Sequence, residues 1–177
     1  ALKDLTQVNL GLSAQGGGRL IPGQQGFFKK EPIGFDVALP VFHGSVGENG
    51  AFQGLMEFAN IPYAGMRAKA CQIFMDKDVT KKALAHAGIP MLPHATVIRP
   101  KSGLVANVAD VTAALGPIGF PCCVKPANLG SSIGVSKANN IDEVIAVLAM
   151  IFKMDTKAII EPFVQNLVEY NVAVRVN

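Results

Sequence analysis

The chain has 177 residues, half of them apolar and 16% charged, and carries a formal charge of +3. That composition suits one full globular domain or two small ones, and the mild charge, without a long block of one sign, gives little support to a nucleic-acid or membrane-surface role. No apolar run approaches the roughly 20 residues of a membrane helix, and the start Ala1-Leu2-Lys3-Asp4 lacks a basic region followed by an apolar core, so no signal peptide is expected. The cysteines number three. Cys122 and Cys123 are adjacent on an expected strand and so face opposite sides, poorly placed to bond each other. All three read as reduced thiols of a cytoplasmic protein, and no Cys or His pair has zinc-finger spacing.

Residues 1–30 are expected to be irregular, a surface loop or a damaged sheet edge, because Gln15-Gly16-Gly17-Gly18 and Pro22-Gly23-Gln24-Gln25-Gly26 are turn signals with little between them. From Phe35 to Val41 the pattern predicts a short strand covered on both sides. Val37, Leu39 and Val41 share one face, and Ala38 and Pro40 are apolar too. A glycine-rich loop, His43 to Gly50, leads into a helix with Phe52, Leu55, Met56 and Ala59 on one face. Asn60 ends that helix, and Ile61-Pro62-Tyr63 makes a brief extended segment, so the region reads as a βαβ unit.

Ala68 to Gly88 is predicted helical in two pieces. The second starts near Asp76, buries Val79, Ala83, Leu84 and Ala87, and stops at Gly88 with Pro90 beyond. Thr96 to Arg99 is a strand candidate. Asn107 caps a helix through Leu115, with Asp110 in its first turn and Gly116-Pro117 as its stop. Next come a strand through Cys122-Cys123-Val124-Lys125, a glycine- and serine-rich turn, and a second strand. Asn140, with Glu143 three residues on, opens a helix whose buried stripe is Ile141, Val144, Ile145, Leu148 and Phe152. Lys157 to Ile160 is a short strand running into Glu161-Pro162-Phe163-Val164. Glu169 to Val176 alternates cleanly and is predicted as a last strand. The chain stops inside it, which suggests a polypeptide cut within a domain.

The richest chemistry lies in Val124-Lys125-Pro126-Ala127-Asn128-Leu129-Gly130-Ser131-Ser132-Ile133-Gly134-Val135. A cation at the mouth of a strand, facing a turn of free backbone N–H groups and the hydroxyls of Ser131 and Ser132, suits a triphosphate. The segment is neither a P-loop nor a dinucleotide fingerprint, since its lysine precedes the glycines. Taken alone, the glycines also suit a plain hairpin. Against that, a lysine closing a buried strand is an odd choice unless its charge is paired.

Lys77 reads alone as a solvated helix residue. Glu161, between Ile159-Ile160 and Phe163-Val164, sits on a strand edge whose apolar walls could hold a purine, and Glu169 could accept from ribose hydroxyls; in isolation each acid is a surface charge. His43 and Glu48 occupy a loop after a strand, where open α/β sheets bind ligands, though His43 is equally a loop histidine without a role. Ser45 and Ser131 are available hydroxyls, but neither sits in Gly-x-Ser-x-Gly.

Together these segments resemble the D-alanine–D-alanine ligase family of ATP-grasp enzymes, over about residues 35–175. The stretches that carry the resemblance, in the family's order, are His43-Gly44-Ser45-Val46-Gly47-Glu48-Asn49-Gly50-Ala51-Phe52-Gln53-Gly54, then Ile61-Pro62-Tyr63-Ala64-Gly65 with Met75-Asp76-Lys77, the turn from Val124 to Val135, and Ile160-Glu161-Pro162-Phe163-Val164. Asn49 departs from the usual acid, and Asn166-Leu167-Val168-Glu169 departs from a shorter glycine-containing link.

The resemblance implies an α/β ATP-grasp fold. Residues 1–75 would be a partial Rossmann-like N-terminal domain, 76–164 the central α+β ATP-binding lobe, and 165–177 the start of a C-terminal lobe. Lys77 and Lys125 would neutralise ATP phosphates, and Ser131 and Ser132 would line a lid hinged at Gly130 and Gly134, with Ser131 closing over substrate. Glu161 would meet the adenine amino group, Pro162, Phe163 and Val164 would lie along the ring, and Glu169 would bind ribose. His43 and Glu48 would lie near the first D-alanine and the transferred phosphoryl group.

The implied reaction phosphorylates one D-alanine and lets the amine of a second attack, for peptidoglycan synthesis in the cytoplasm. By the resemblance, the family's Mg2+ ligands and an arginine are expected in a C-terminal part beyond residue 177, and a glycine-rich turn with a glutamate is expected ahead of the segment that begins at residue 35. Family members pair as homodimers through the first domain. Two alternatives stay open: a related ligase with D-lactate, D-serine or another amino acid as acceptor, and a nucleotide-binding fragment without turnover.

Overall fold

The computed structural model describes residues 8–13, 17–23 and 31–173. The chain divides into two compact units, Ala1–Thr80 and Lys81–Asn177.

In the first unit, β1 (Val8–Leu12), β2 (Gly18–Pro22) and β3 (Ile33–Phe35) form an antiparallel sheet in that order. Over Val8–Leu12 and Gly18–Pro22 this corrects the expectation of an irregular start; residues 1–7, 14–16 and 24–30 lie outside the described residues. Val8, Leu10 and Leu12 alternate with Asn9 and Gly11, the Ser13 N–H donates to the Gly17 carbonyl at 3.4 Å, and Leu12 pairs with Gly18, so Gly18 opens the returning strand of a hairpin.

The strand expected over Phe35–Val41 is also corrected. β3 ends at Phe35, and beyond it only Ala38 pairs, through a single parallel bridge to Tyr63. The Ala38 N–H donates to Pro62 O at 2.9 Å and the Ala64 N–H to Ala38 O at 3.0 Å. Pro40 has no N–H with which to extend this ladder. Val37, Leu39 and Val41 accordingly stand 63, 74 and 79% exposed, where a covered strand would bury them.

Between the halves of that bridge lie α1 (Ser45–Glu48) and α2 (Ala51–Phe58). α2 starts at Gly50 with φ +87°, and a Cβ there would sit 2.5 Å from the Ala68 carbonyl oxygen, so both the backbone angle and the space require glycine. Met56, Ala59 and Ile61 form the small core of this unit, against Leu12, Phe35, Phe52 and Tyr63.

Helices α3 (Ala68–Met75) and α4 (Lys77–His86) are the two expected pieces. Asp76 separates them and caps α4, its Oδ1 accepting from the N–H groups of Asp78 at 3.0 Å and Val79 at 3.1 Å. The stripe expected on α4 does not form. Val79, Ala83 and Ala87 are exposed and Leu84 is half-buried, whereas Asp78 is buried and Lys81 is turned inward. At 100° per residue, positions two apart lie on nearly opposite faces, so an inward Lys81 sends Val79 and Ala83 outward.

The second unit is a four-stranded antiparallel sheet, order β4-β7-β5-β6, of β4 (Ala95–Ile98), β5 (Cys122–Pro126), β6 (Ser136–Ala138) and β7 (Lys157–Pro162). Helices α5 (Val108–Leu115) and α6 (Ile141–Ile151) cover one face. The register sets Val124 opposite Ile160 and Cys122 opposite Ala138, so this face is a continuous apolar layer. It meets Val111 and Leu115 of α5 and Val144, Leu148 and Ile151 of α6, with Phe152 just beyond.

Both helices start where their caps predict. Asn107 Oδ1 accepts from the N–H groups of Ala109 at 2.8 Å and Asp110 at 3.2 Å. Asn140 Oδ1 accepts from the Glu143 N–H at 2.9 Å, while Glu143 reaches back to the Asn139 N–H at 2.8 Å. At the far end of α6 the Arg99 guanidinium donates to the Phe152 carbonyl at 3.1 Å, a cation on the negative end of the helix.

The last expected strand is not formed within the described residues. Glu169–Ala173 have no strand pairing, and Tyr170 and Val172 are exposed, because alternation makes a strand only where a partner takes up its backbone groups. Val174, Arg175 and Val176 lie outside the described residues.

Leu148 is fully buried, so Leu148→Ala should lower the unfolding free energy by about 2–5 kcal/mol, while exposed Val79→Ala should stay within about 0.5 kcal/mol. Denaturant titration of the two variants measures both.

Candidate functional site

Side chains alternate across a strand, so the sheet face that does not meet α5 and α6 carries the other half of each strand's residues. There the register aligns Glu161 of β7 with Cys123 of β5, and Cys123 with Lys137 of β6. One step along, Thr96, Ile159 and Lys125 form a second row.

Glu161 is the centre of this face. It is only 3% exposed, and its two carboxylate oxygens hold two different lysines. Lys125 reaches Oε2 from the neighbouring strand. Lys81 reaches Oε1 from α4 at 2.5 Å, and its ammonium also donates to the Leu92 carbonyl at 3.4 Å. The isolated reading of Glu161 as a surface charge is thereby corrected: a carboxylate this deep persists only when paired. Burial pushes the Glu161 carboxyl up, but hydrogen bonds and charge from Lys125 and Lys81 outweigh it and hold the group below its ordinary value. Burial pushes the Cys123 thiol up, so no thiolate competes for the lysines. Two ammonium groups around one carboxylate leave a positive surplus, a setting that draws anions.

The turn after β5 is fixed at both ends by the segment between α6 and β7. The buried Asp155 carboxylate accepts from Asn128 N–H at 2.7 Å, Asn128 Nδ2 at 3.0 Å, Thr156 N–H at 2.7 Å and Lys157 N–H at 3.2 Å. At the other end Gly134 has φ +72°, and a Cβ there would lie 2.9 Å from Pro126 Cγ and 3.3 Å from Met154 Cε. Between these ends Ser131 and Ser132 are exposed, with left-handed φ of 51° and 57°. Of the two glycines expected as hinges, Gly134 has positive φ and Gly130 does not.

Beyond β7 the Phe163 N–H donates to Pro121 O at 3.0 Å, and the half-buried ring lies 4.8 Å from the Lys137 ammonium, a cation–π contact. Pro162 is half-buried and Val164 exposed. Glu169 is exposed and accepts from Asn171 Nδ2 at 3.4 Å.

His43, Glu48 and Lys77 belong to the first unit. His43 is exposed, and Lys77 is the half-buried first residue of α4. Glu48 ends α1, where its Oε2 accepts from the Gly44 N–H at 3.1 Å. It lines a cleft of about 330 Å3 with Phe42, Gln53, Cys71, Phe74 and Met75. Gln53 is buried, and its Nε2 donates to the Gly47 carbonyl at 2.8 Å, which pins the loop that carries Glu48.

Of the residues expected from sequence, the second unit brings Lys125 and Glu161 into contact, with the Ser131-Ser132 turn following β5 and Pro162-Phe163 following Glu161 on β7. Sequence reasoning missed Lys81, Lys137 and Asp155. For Lys81 the available signal was its place one turn after Lys77 on the same helix. Asp155 stands alone between a helix and a strand and gave no such hint.

The family models that match are D-ala D-ala ligase N-terminus over residues 5–66 and D-ala D-ala ligase C-terminus over residues 83–177. A curated relative, the D-alanine--D-alanine ligase of Sodalis glossinidius, is 40% identical over 148 residues, 83% of this chain and 38% of that protein. The crystal structure of the Helicobacter pylori D-alanine-D-alanine ligase matches with TM-score 0.73 at 29% identity, covering 93% of this chain and 46% of that one. The Bacillus anthracis D-alanine--D-alanine ligase complexed with ATP matches with TM-score 0.61 at 32% identity, covering 73% of this chain and 41% of that one.

The fold is α/β of the ATP-grasp type. The chain belongs to the D-alanine–D-alanine ligase family, and it spans less than half the length of the relatives it matches.

Because the folded Glu161 carboxyl lies below its ordinary value, the cluster's contribution to stability is present at neutral pH and is lost as the pH falls from the ordinary carboxylate range through the folded value. Denaturant titrations between about pH 7 and pH 3 should therefore show the parent protein losing more stability on acidification than Glu161→Gln, which has no proton to take up at this site.

Proposed function

We propose that the protein carrying this chain joins two D-alanines into D-alanyl-D-alanine, driven by ATP, for peptidoglycan precursor synthesis. The observation that carries this reading is the buried Glu161 carboxylate between Lys125 and Lys81, with Lys125 on the strand that leads into the Ser131-Ser132 turn, in a chain of this family. A purine needs an acceptor for its amino group and an apolar wall, and Glu161 with Pro162, Phe163 and Val164 supplies both. A triphosphate needs cations and donors, for which Lys125, Lys77, Ser131 and Ser132 are the candidates. Glu169 is read as the ribose acceptor, and His43 and Glu48 as neighbours of the first D-alanine.

In this reading residues 1–75 are part of the N-terminal domain, 76–164 the central ATP-grasp lobe, and 165–177 the beginning of the next lobe. The γ-phosphoryl group passes to the carboxylate of one D-alanine. The amine of the second attacks the acyl carbon, the amide bond forms, and phosphate leaves. The chain's own work is positioning and charge stabilisation, with the serine turn as a lid that keeps water from the acylphosphate. Magnesium accompanies ATP in the family. Among the described residues no group of three or more His, Cys, Asp or Glu is placed to hold a metal ion. No described helix is long and apolar enough to cross a membrane. We read the protein as a cytoplasmic homodimer acting on small molecules.

The test is phosphate release from ATP by the purified protein, with and without D-alanine. Release that depends on D-alanine, with D-alanyl-D-alanine as the product, is expected; ATP consumption indifferent to D-alanine, or none, would overturn the reading. Lys125→Met should lower kcat/KM for ATP by about 10²-fold or more, since it removes a cation aimed at the phosphates.

A further inference from the structure

We infer that Lys81 is a positioning residue that keeps Glu161 an ionised hydrogen-bond acceptor for the nucleotide base when Lys125 turns to the phosphates. The inference rests on the nucleotide reading above and goes beyond it in naming what sets the choice of purine.

The two lysines on Glu161 are not equivalent. The Lys125 side chain is 29% exposed, beside the glycine-serine turn, and in that reading has a second task on the phosphates. The Lys81 side chain is 14% exposed, and its ammonium is held from two sides, by Glu161 Oε1 and by the Leu92 carbonyl. Lys125 is the exchangeable partner and Lys81 the resident one. If Lys125 moved away and Lys81 were absent, the carboxylate would be buried without a counter-charge and would take up a proton.

That proton changes what the base edge meets. An ionised carboxylate only accepts, which suits the 6-amino group of adenine. A protonated one also donates, which suits the 6-oxo group of hypoxanthine. A buried acceptor matched to one donor discriminates strongly against the analogue that lacks it. Among the described residues, the charged and titratable groups that the ion pairs and strand register place against Glu161 are Lys81 and Lys125 on its oxygens, Cys123 across the strand pair and Lys137 next in the row. None of these replaces the contact that Lys81 makes with Oε1.

The experiment measures ATP and inosine triphosphate binding to the purified protein that carries this chain, for the parent, Lys81→Met and Lys81→Arg, between about pH 6 and pH 8. The expected result is that Lys81→Met lowers the preference for ATP over inosine triphosphate by about tenfold or more at neutral pH. The preference should recover as the pH rises, because the carboxyl then ionises; Lys81→Arg should stay close to the parent, with a flat profile. A merely structural role would weaken both nucleotides alike, and an unchanged preference with a flat pH profile in Lys81→Met overturns the inference while leaving the nucleotide reading intact. A parent protein that binds neither nucleotide overturns both.

Should Lys81→Met fail to fold by circular dichroism, the double variant Lys81→Met/Glu161→Gln decides, since it removes both charges together. In the Glu161→Gln background, loss of Lys81 should change the nucleotide preference by less than about twofold. A further tenfold fall in that background would overturn the inference.

Discussion

A carboxylate that is almost fully buried, held between two ammonium groups from different elements, governs the second unit. Burying Glu161 alone would drive it to protonate. Lys125 from β5 and Lys81 from α4 keep it charged, and in doing so they tie a helix to a strand that lies far from it in sequence. Removing one member of such a cluster costs about 3–5 kcal/mol, whereas replacing a whole buried cluster with apolar residues is often neutral or stabilising. Stability therefore does not explain why a sheet face otherwise able to hold apolar side chains keeps three charges. The charge arrangement itself, with its positive surplus, is the feature that distinguishes this face from the core.

The same constraint decides which residues of α4 are turned inward. With Lys81 facing the sheet, Val79 and Ala83 are carried to the solvent side, against their hydrophobicity. The sheet separates its two tasks through a strand period of two. Cys122, Val124, Ala138, Ala158 and Ile160 build the core layer with α5 and α6. Their immediate neighbours Cys123, Lys125, Lys137, Ile159 and Glu161 build the opposite face, so the core register fixes the site register. A slip of one residue in β5 would put Lys125 into the core and Val124 onto the site, and the packing of Val124 against α5 and α6 prevents that.

Much of the second unit was legible in the sequence because its signals are local. Asn107 and Asn140 announce their helices by side-chain caps that need only the next three residues. The stripe on α6 follows its sequence period, with Val144, Leu148 and Phe152 of its five members fully buried. Where the structure departs from the local pattern, the cause is non-local. The Val79 stripe was a fair amphipathic pattern, overruled by an ion pair whose other half lies on β7. The hairpin of β1 and β2 was hidden by glycines that signal a turn as readily as a loop. The strand expected at Glu169–Val176 had the right alternation, but alternation carries no information about a partner. At the site, Lys125 stood out as a charge on a buried strand, whereas Lys81 looked like any surface lysine of a helix until the fold brought Glu161 to it.

Residues that break local rules in this unit gather at one place. Lys125 sits on a strand that is otherwise buried, Glu161 lies among isoleucines, and Ser131 and Ser132 both take a left-handed backbone that L-residues rarely adopt. Sequences usually agree with their fold at every level, and departures concentrate where something besides stability is being served. Such departures also need support. Asp155, with four hydrogen bonds into the start of the serine turn and the start of β7, gives the turn a rigid base, and the close seating of Gly134 against Pro126 and Met154 gives it a rigid end. Two serines can hold an unfavourable backbone between those points because the surrounding structure over-determines it. The strain is local, the support is non-local, and the turn they share follows directly on β5, the strand that carries Lys125 to the buried carboxylate.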